Sequence, residues 1–319
     1  MASINRHSNN TKIAVLIPCH NEETTIAKVV ADFARELPGV SIYVYDNRST
    51  DHTADRAREA GAVVGSEARK GKGYVVRRMF REVEADYYVM VDGDDTYPSE
   101  HVWALLEPVT SGKSPMAVGT RLSTHTRDSF RPMHRLGNKI IRSIINAFYQ
   151  TKLTDVLSGY RAFDRGIVKS LPLSSKGFEI EVELTIEALD KGYIPAEVPI
   201  PYRGRPVGSE SKLNTYKDGL LVINAILHIL KDYRPLLFFT AVATALFAGG
   251  VWFGYTPATE YMTSGFIHRL GLAFISIGLI VLSAICLTAG LILDSLKRRH
   301  QELCMLLGEI RGSRPPGNR

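Results

Sequence analysis

Three aspartates stand within four residues at the end of an apolar run, in VMVDGDDTYP (residues 89–98). Asp92 and Asp94 are separated by Gly93, which lets the backbone turn sharply. Alternate side chains of an extended segment point the same way, so both carboxylates can face one ligand. Two hard oxygen ligands can hold Mg²⁺ or Mn²⁺ and leave coordination positions for substrate phosphates. For such a pattern in isolation, an aspartate-rich turn would be the better interpretation.

Further polar clusters follow other predicted strands. PCHNEE (residues 18–23) ends one apolar run, and DNRSTD (residues 46–51) ends another. A cationic stretch, RKGKG (residues 69–73), could lie along a diphosphate, although alone it would be a solvated charge run. It is not a P-loop, because the pattern GxxxxGK[ST] is absent.

Strands and helices alternate through the first 125 residues. This alternation predicts an α/β fold with a mostly parallel sheet. Ligand sites in such sheets open at the carboxyl ends of the strands, where the polar clusters stand. The predicted strands cover residues 12–18, 40–46, 62–65, 86–92 and 116–122, and the predicted helices between them begin near residues 23, 49 and 74.

Composition limits the classes of function. The 319 residues are 45% hydrophobic and 23% charged, which is typical of a globular chain. The net charge of +6 favours an anionic partner such as a phosphate-bearing substrate or a membrane surface. The three cysteines form no CxxC pair and the nine histidines have no metal-ligand spacing, so we expect reduced thiols and no zinc site.

Two uncharged runs near the other end are long enough to cross a membrane. They cover residues 235–254 and 270–293. Basic residues precede the first run and follow the second, whereas the connector at residues 255–269 holds a single arginine. Because positive charge favours the cytoplasmic side, we expect a multi-pass protein of the inner or plasma membrane with its catalytic domain and both termini in the cytoplasm.

The predicted organisation has four parts. A cytoplasmic domain covers residues 1–207, an acceptor loop and interfacial helix 208–234, the two-helix hairpin 235–293, and a basic tail 294–319. Residues 131–150 and 216–233 both read as basic amphipathic helices that could lie on the bilayer. For the first of these, an ordinary helix facing the core remains an equal alternative.

The order of seven motifs carries a family resemblance. VLIPCHNEE, YDNRSTDHT, RKGKG, VMVDGDDTYP, VGTRL, SGYRAF and GSESKLN follow one another along residues 15–214. This series resembles the inverting family 2 glycosyltransferases of GT-A fold, and within them the polyprenyl-phosphate glycosyltransferases that include dolichol-phosphate mannose synthase. The resemblance extends over about residues 12 to 234.

The resemblance implies a donor site for a nucleotide sugar. Asp92 and Asp94 would bind the ribose and the metal-diphosphate of the donor, and both would be ligands of the metal ion. Asp94 would also be a catalytic residue. Thr96 stands where many members carry a glutamine, and its shorter side chain puts a direct metal role in doubt. The implied donor-binding residues are Pro18, Asn21, Glu22, Asp46, Lys72, Asp92, Ser211 and Lys212.

The resemblance also implies an acceptor site for a lipid phosphate. Arg121, Arg135 and Arg205 would approach that phosphate, and Arg121 and Arg205 would join Asp94 as catalytic residues. An arginine fork suits phosphate oxygens. A phosphate acceptor is already anionic at neutral pH and needs no strong base, so none is assigned, although Glu179 could assist orientation.

The expected protein is therefore a metal-dependent hexosyltransferase of the cell envelope. It would move a sugar from a UDP- or GDP-linked donor to an undecaprenyl- or dolichyl-type phosphate, with inversion and with Mg²⁺ or Mn²⁺ as cofactor. A transferase acting on another lipid such as diacylglycerol, and a noncatalytic membrane-anchored nucleotide-sugar binder, remain as alternatives. A processive polysaccharide synthase fits less well, because a QxxRW motif and further spans are missing. No nucleic-acid partner is expected, and a homo-oligomer is left open.

Overall fold

The computed structural model describes residues 11–122, 132–177, 179–204, 231 and 233–312. Two compact units divide the chain, Met1–Gly219 and Leu220–Arg319. The four-part division made from the sequence stays a prediction. The first unit contains β1 (Ile13–Cys19), α1 (Ile26–Glu36), β2 (Ser41–Asp46), α2 (Thr53–Glu59), β3 (Val63–Ser66), α3 (Lys72–Glu82), β4 (Tyr87–Met90), a 3-10 turn (Ser99–His101), α4 (Val102–Thr110), β5 (Met116–Leu122), α5 (Pro132–Tyr149), β6 (Arg161–Asp164), α6 (Arg165–Ser170), α7 (Ile180–Asp190) and β7 (Ala196–Pro201).

One sheet organises this unit, with the strand order β3-β2-β1-β4-β6-β5-β7. Only β6, among the described strands, runs against its neighbours β4 and β5, and the other paired strands are parallel. The predicted mostly parallel sheet is therefore confirmed. The carboxyl ends of six strands and the beginning of β6 consequently meet at one edge, which we call the carboxyl edge.

Apolar side chains cover both faces of the sheet. In β1, Val15 and Ile17 belong to the buried cluster that includes Phe33 of α1 and Leu105 of α4. Leu16, between them, belongs to the opposite cluster with helices α3 and α7. The period of two places successive residues on opposite faces, and both faces are buried because helices pack on each. A rigid frame thus fixes the loops at the carboxyl edge.

Helix α5 matches the first predicted amphipathic helix. Ile141 and Ile145 are buried, whereas Ile140 is 38% exposed. The apolar stripe is therefore partly used in packing against protein, as an ordinary core-facing helix would be. Its placement on a bilayer stays a prediction. The second predicted amphipathic helix, residues 216–233, lies outside the described residues except for positions 231 and 233.

The second unit contains two long helices, α8 (Pro235–Ser264) and α9 (Leu270–Gly312). Pro235–Ser264 and Leu270–Arg299 are long and apolar enough to cross a membrane. Large apolar side chains face outward along them, with Trp252 79% and Met262 85% exposed. Apolar surface of this extent is costly in water and is the kind of surface that lipid can cover.

Small residues hold the two helices together. The Ser276 hydroxyl donates to the Gly250 carbonyl at 2.7 Å, and the Ser283 hydroxyl donates to the Ala243 carbonyl at 2.8 Å. A Cβ added at Gly290 would lie 2.7 Å from the Cβ of Phe239. Such close approach is typical of helix packing in membranes, where interhelical hydrogen bonds and small residues replace the hydrophobic driving force.

The helices extend beyond the predicted spans. Helix α8 continues through the predicted connector to Ser264, so only residues 265–269 join the pair. The Glu260 carboxylate accepts hydrogen bonds from the backbone N–H groups of His268 and Arg269 at 3.1 and 3.2 Å and closes the turn. Residues 255–264 were assigned to the connector from the sequence, and the structure shows that they continue the helix.

Candidate active site

The strand register brings the predicted polar clusters together at the carboxyl edge. Cys19 at the end of β1 pairs with Asp46 at the end of β2, and Asp46 pairs with Ser66 at the end of β3. Since β4 is parallel to β1 and pairs Met90 with Leu16, the segment carrying the aspartates leaves the sheet at the same edge. The expectation that these residues gather at the carboxyl ends is thus met for β1, β2 and β4.

Asn21 and Glu22 serve chiefly to join loops in this structure. Asn21 has φ of 54° and donates its N–H to the Ser49 hydroxyl at 2.8 Å. Its side-chain oxygen accepts the Thr50 N–H at 2.8 Å. The Glu22 N–H donates to the Thr53 hydroxyl at 2.8 Å. Both residues therefore fix the β1 loop against the β2 loop, and the Glu22 carbonyl accepts the Ile26 N–H at the beginning of α1, at 2.9 Å.

Asp46 offers an acceptor at this edge. One carboxylate oxygen accepts the Ser49 N–H at 3.2 Å, and the other is buried with no hydrogen-bond partner among the described residues. A buried unpaired acceptor is costly unless a ligand supplies a donor. The N–H edge of a nucleotide base is such a donor. Pro18, which is buried, pairs with Tyr45 immediately beside this position.

Asn47, which was not singled out from the sequence, shapes the cationic loop at residues 69–73. The buried Asn47 donates its side-chain N–H groups to the Glu67 and Arg69 carbonyls at 3.1 and 2.8 Å, and its oxygen accepts the Gly71 N–H at 2.7 Å. Glu67 accepts from the Arg69 guanidinium at 2.9 and 3.1 Å. That hydrogen bonding lowers the pKa of Glu67 to about 2. The backbone of the run is therefore ordered by hydrogen bonds, while the side chains of Arg69 and Lys70 are exposed.

Lys72 lies between two carboxylates. Its ammonium contacts Asp92 and also Glu181 of α7, the latter at 2.6 Å. The Lys72 and Glu181 side chains are nearly buried, whereas Asp92 is 28% exposed. Burial alone would lower the pKa of Lys72, but the charges of Asp92 and Glu181 outweigh it and raise that pKa. Lys72 is thus a fixed cation beside a candidate metal ligand.

Two glycines of the cationic loop are required by close packing. A Cβ added at Gly71 would lie 2.1 Å from the carbonyl oxygen of Lys176. A Cβ added at Gly73 would lie 2.2 Å from the carbonyl oxygen of Ser175. The buried Glu183 holds this neighbouring segment by accepting the Ser175 N–H at 2.9 Å. Helix α7 therefore supports the cationic loop through a side chain and through a backbone contact.

Asp92 is pressed against the segment that precedes β6. A Cβ at Gly159 would lie 2.3 Å from Oδ2 of Asp92. Gly159 also donates its N–H to the buried Tyr97 hydroxyl at 3.2 Å, and that hydroxyl lies 3.2 Å from the one on Ser158. Burial raises the pKa of Tyr97, so its hydroxyl stays protonated at neutral pH. Since β6 is antiparallel, its beginning reaches the same edge as the end of β4.

Asp94 and Asp95 have different surroundings. Asp94 is buried and accepts the Thr96 hydroxyl at 2.6 Å. Thr96 thus orients the carboxylate, which gives a role to the position where a direct metal contact was in doubt. Asp95 has φ of 55° and pairs with Lys28 at 2.7 Å. The Asp95 carboxylate is therefore engaged by α1.

Arg121 stands at the same edge, near the end of β5. Its guanidinium donates to both oxygens of Asp155, at 2.7 Å from Nε and 2.9 Å from Nη2. The guanidinium carbon lies 5.7 Å from the centre of the Tyr202 ring. Burial would lower the pKa of Arg121, but Tyr97 and Asp155 raise it overall. The two hydrogen bonds to Asp155 therefore fix the orientation of the positively charged Arg121 guanidinium.

Arg161 supports the segment that carries Asp155 and Gly159. It is fully buried and donates to the Ser158 carbonyl at 2.8 Å and the Val156 carbonyl at 2.9 Å. Burial lowers its pKa to about 10, so the guanidinium remains charged at neutral pH. Satisfying a buried guanidinium with loop carbonyls fixes that loop.

Negative charge is concentrated at the carboxyl edge. Cys19 is buried there, and its pKa is raised by burial and then by Glu22, Asp92, Asp46 and Asp94. Among the described residues, no group of three or more His, Cys, Asp or Glu side chains could by itself hold a metal ion. Asp92 and Asp94 supply hard carboxylate oxygens of the kind that a divalent cation prefers, and the Asp92 side chain is 28% exposed.

Other predicted site residues cannot be placed. Arg205, Ser211 and Lys212 lie outside the described residues, and so does the side chain of Arg135, although its backbone belongs to α5. Glu179 was expected to assist orientation. Its carboxylate instead accepts the backbone N–H groups of Lys176 and Gly177 at 3.2 and 3.0 Å, and Glu181 is the residue that reaches Lys72.

Comparisons with known proteins identify the family. Residues 14–171 match Glycosyl transferase family 2. The chain is 31% identical over 299 residues to "Glycosyltransferase AglJ" of Haloferax volcanii, covering 93% of this chain and 98% of that protein. The chain belongs to glycosyl transferase family 2.

Two further relatives extend this assignment. The "Dolichyl-phosphate hexose transferase" of Haloferax volcanii is 29% identical over 222 residues, covering 70% of this chain and 95% of that protein. Glucosyl-3-phosphoglycerate synthase from Mycobacterium tuberculosis, solved with Mn²⁺, UDP-glucose and phosphoglyceric acid, is 25% identical with a TM-score of 0.58. That match covers 69% of this chain and 79% of the synthase. The predicted GT-A fold and the family resemblance are confirmed, and the protein is a glycosyltransferase.

Proposed function

We propose that this glycosyltransferase moves a sugar from a UDP- or GDP-linked donor to a polyprenyl phosphate at the cytoplasmic face of the membrane. The product would be a polyprenyl-phosphate monosaccharide for cell-envelope glycans or protein glycosylation. One observation carries the proposal: a single sheet edge presents Asp92 and Asp94 after β4 and Arg121 near the end of β5, in a chain that also has two helices able to cross a membrane. Relatives that act on polyprenyl phosphates support the same kind of acceptor.

The donor would lie along the ends of β1, β2 and β4. Asp46 would accept an N–H of the base, with Pro18, Asn21 and Glu22 around it, and Lys72 would contact the diphosphate. Asp92 and Asp94 would hold Mg²⁺ or Mn²⁺, which when bound supplies charge stabilisation to the departing diphosphate. Bound Mn²⁺ in the related synthase supports this assignment.

The acceptor phosphate would lie on the β5 side of the edge. Asp155 holds Arg121 through Nε and Nη2, and the guanidinium charge fixed in this way would attract the phosphate oxygens. Arg205 and Arg135 are proposed to complete the phosphate site. A phosphate oxygen would attack the anomeric carbon while the bond from that carbon to the diphosphate oxygen breaks. The nucleoside diphosphate leaves, the anomeric centre inverts, and no general base is needed because the nucleophile is already anionic.

Arg205 provides the test of the acceptor. Arg205→Ala should raise the apparent KM for polyprenyl phosphate by about tenfold to a hundredfold, the usual effect of losing a charge-assisted hydrogen bond. Arg205→Lys should restore only part of that loss because lysine lacks the fork. Calorimetric affinity for the nucleotide sugar should change little.

Arg203→Ala is the matched control. It removes the same charge two residues away, from a side chain that pairs with Glu100 at the surface. If Arg205→Ala abolished donor binding and left the KM for the lipid unchanged, Arg205 would belong to the donor site. Transfer to diacylglycerol, with none to polyprenyl phosphate across a panel of nucleotide sugars, would refute the proposed function itself.

A further inference from the structure

Glu181 is a buried carboxylate that the family motifs quoted from the sequence do not include. It is 4% exposed, lies in the first turn of α7, and accepts from the Lys72 ammonium at 2.6 Å. A buried carboxylate is costly without a charged partner, so this contact accounts for its burial. Lys72 in turn begins α3 and contacts Asp92 with the same ammonium.

The two carboxylates that share Lys72 differ in accessibility. Asp92 is partly exposed at the edge, whereas Glu181 is enclosed behind it. A divalent cation on Asp92 would face the Lys72 ammonium across a few ångströms, where like charges repel strongly. Lys72 must then leave Asp92. Glu181 provides a second anion within the present reach of that ammonium.

We propose that Glu181 is a positioning residue that retains Lys72 at the carboxyl edge while Asp92 exchanges the ammonium for a divalent cation. Lys72 is thereby kept available for the donor diphosphate instead of turning to solvent. The inference rests on the proposed function for its donor chemistry, and it adds a residue and an exchange step to that site.

Helix α7 is suited to this task because it is anchored beside Lys72. Glu183, one turn from Glu179, accepts from the Ser174 N–H and hydroxyl at 2.7 Å each. The Gly73 N–H donates to the Lys176 carbonyl at 3.1 Å, which joins the same segment to the beginning of α3. The segment at residues 174–176 consequently joins α7, which carries Glu181, to the beginning of α3, which carries Lys72.

A double-mutant cycle on the full chain in detergent tests the inference. The variants are Glu181→Gln, Lys72→Gln and their combination, with Glu59→Gln as a control for the same charge change at an exposed site on α2. Mn²⁺ binding to nucleotide-free protein is followed by the electron paramagnetic resonance signal of unbound Mn²⁺. UDP and GDP binding at saturating Mn²⁺ is followed by calorimetry.

The inference predicts a distinctive pattern of signs. Glu181→Gln should weaken both Mn²⁺ and nucleoside diphosphate binding, each by about tenfold, because Lys72 then stays on Asp92. Lys72→Gln should tighten Mn²⁺ binding and weaken nucleoside diphosphate binding. In the Lys72→Gln background, Glu181→Gln should change neither affinity, since a positioning residue acts through the residue it positions. Glu59→Gln should behave as the parent protein.

Two results would overturn the inference. One is an unchanged Mn²⁺ and nucleotide affinity in Glu181→Gln, and the other is an equal effect of that change with and without Lys72. If Glu181→Gln fails to fold by circular dichroism, Glu181→Asp replaces it, because shortening the side chain by one methylene keeps the charge but withdraws it from Lys72. The same two criteria then apply.

The cycle also separates this inference from the proposed function. Its measurements use Mn²⁺ and nucleoside diphosphates and contain no lipid and no transfer step. A protein that shows the predicted cycle but does not glycosylate polyprenyl phosphate would refute only the acceptor assignment. A protein that glycosylates polyprenyl phosphate without the predicted cycle would refute only the role of Glu181.

Discussion

Gly159→Ala should disable the candidate metal site without unfolding the protein. A Cβ at this position would lie 2.3 Å from Oδ2 and 2.8 Å from Cγ of Asp92. Non-bonded heavy atoms prefer separations of about 3.5 Å, so one of the two groups must move by roughly 1 Å. Gly159 is tied to the Tyr97 hydroxyl through its N–H, which resists movement of the segment before β6. The carboxylate of Asp92 is therefore expected to move.

The expected magnitudes separate a loss of function from a loss of stability. Overpacking of this kind costs about 1–3 kcal/mol of unfolding free energy. A domain that begins with about 5 kcal/mol would remain more than about 95% folded after losing 3. A displacement of about 1 Å at a catalytic group can reduce turnover by about a hundredfold. Unfolding thus cannot account for a loss of that size.

Turnover measured against Mn²⁺ concentration, together with a thermal melt, tests this reasoning. Gly159→Ala should need more Mn²⁺ and reach a lower maximum rate, with a modest fall in Tm. Gly204→Ala is the matched control, since a Cβ there meets no atom of the described residues within 4 Å. Unchanged Mn²⁺ dependence in Gly159→Ala would show that Asp92 is not a metal ligand or is not confined by Gly159.

Three further predictions concern acid stability, the metal and topology. The pKa of Glu67 is lowered from 4.5 to about 2, so its contribution is complete above pH 4.5 and disappears as the pH falls toward 2. As the pH falls over that range, the Tm of the parent should fall more steeply than the Tm of Glu67→Gln, and parallel curves would contradict the assignment. Chelation of the metal by EDTA should abolish turnover. Asp94→Asn should lose most of its turnover while the protein remains folded. Full activity in EDTA would exclude the metal role. Phe266→Cys, at a 70% exposed turn position, should react with a membrane-impermeant maleimide from outside intact cells, and labelling only from the cytoplasmic side would invert the proposed topology.

The sequence was sufficient to predict that the polar clusters after β1, β2 and β4 gather at the carboxyl edge. Apolar runs ending at Asp46 and Asp92 have the length and alternation of strands, and parallel packing forces their carboxyl ends together. The strand Met116–Leu122 matched the predicted range, because turn-forming residues precede it and it begins with the apolar residues Met116, Ala117 and Val118. Local pattern and tertiary packing agree in these segments.

Contacts between distant segments were beyond sequence reasoning. Glu181 is 109 positions from Lys72, and no local pattern distinguishes it from Glu179 or Glu183 on the same helix. Strand β6 is only four residues long and antiparallel, so neither its length nor its direction follows from the βα alternation. Asn47 looked like one more polar residue of a turn, although its three hydrogen bonds shape the cationic loop.

The antiparallel strand β6 separates the candidate donor residues from the candidate acceptor residues at the carboxyl edge. Because β6 runs against β4 and β5, the segment that enters it passes between the candidate metal aspartate and the candidate acceptor arginine. Asp155 in that segment aligns Arg121, and Gly159 confines Asp92. Arg161 fixes both through carbonyl hydrogen bonds within the same segment. Donor and acceptor geometry thus depend on one short connection, so a change that loosens it should impair both halves of the reaction together.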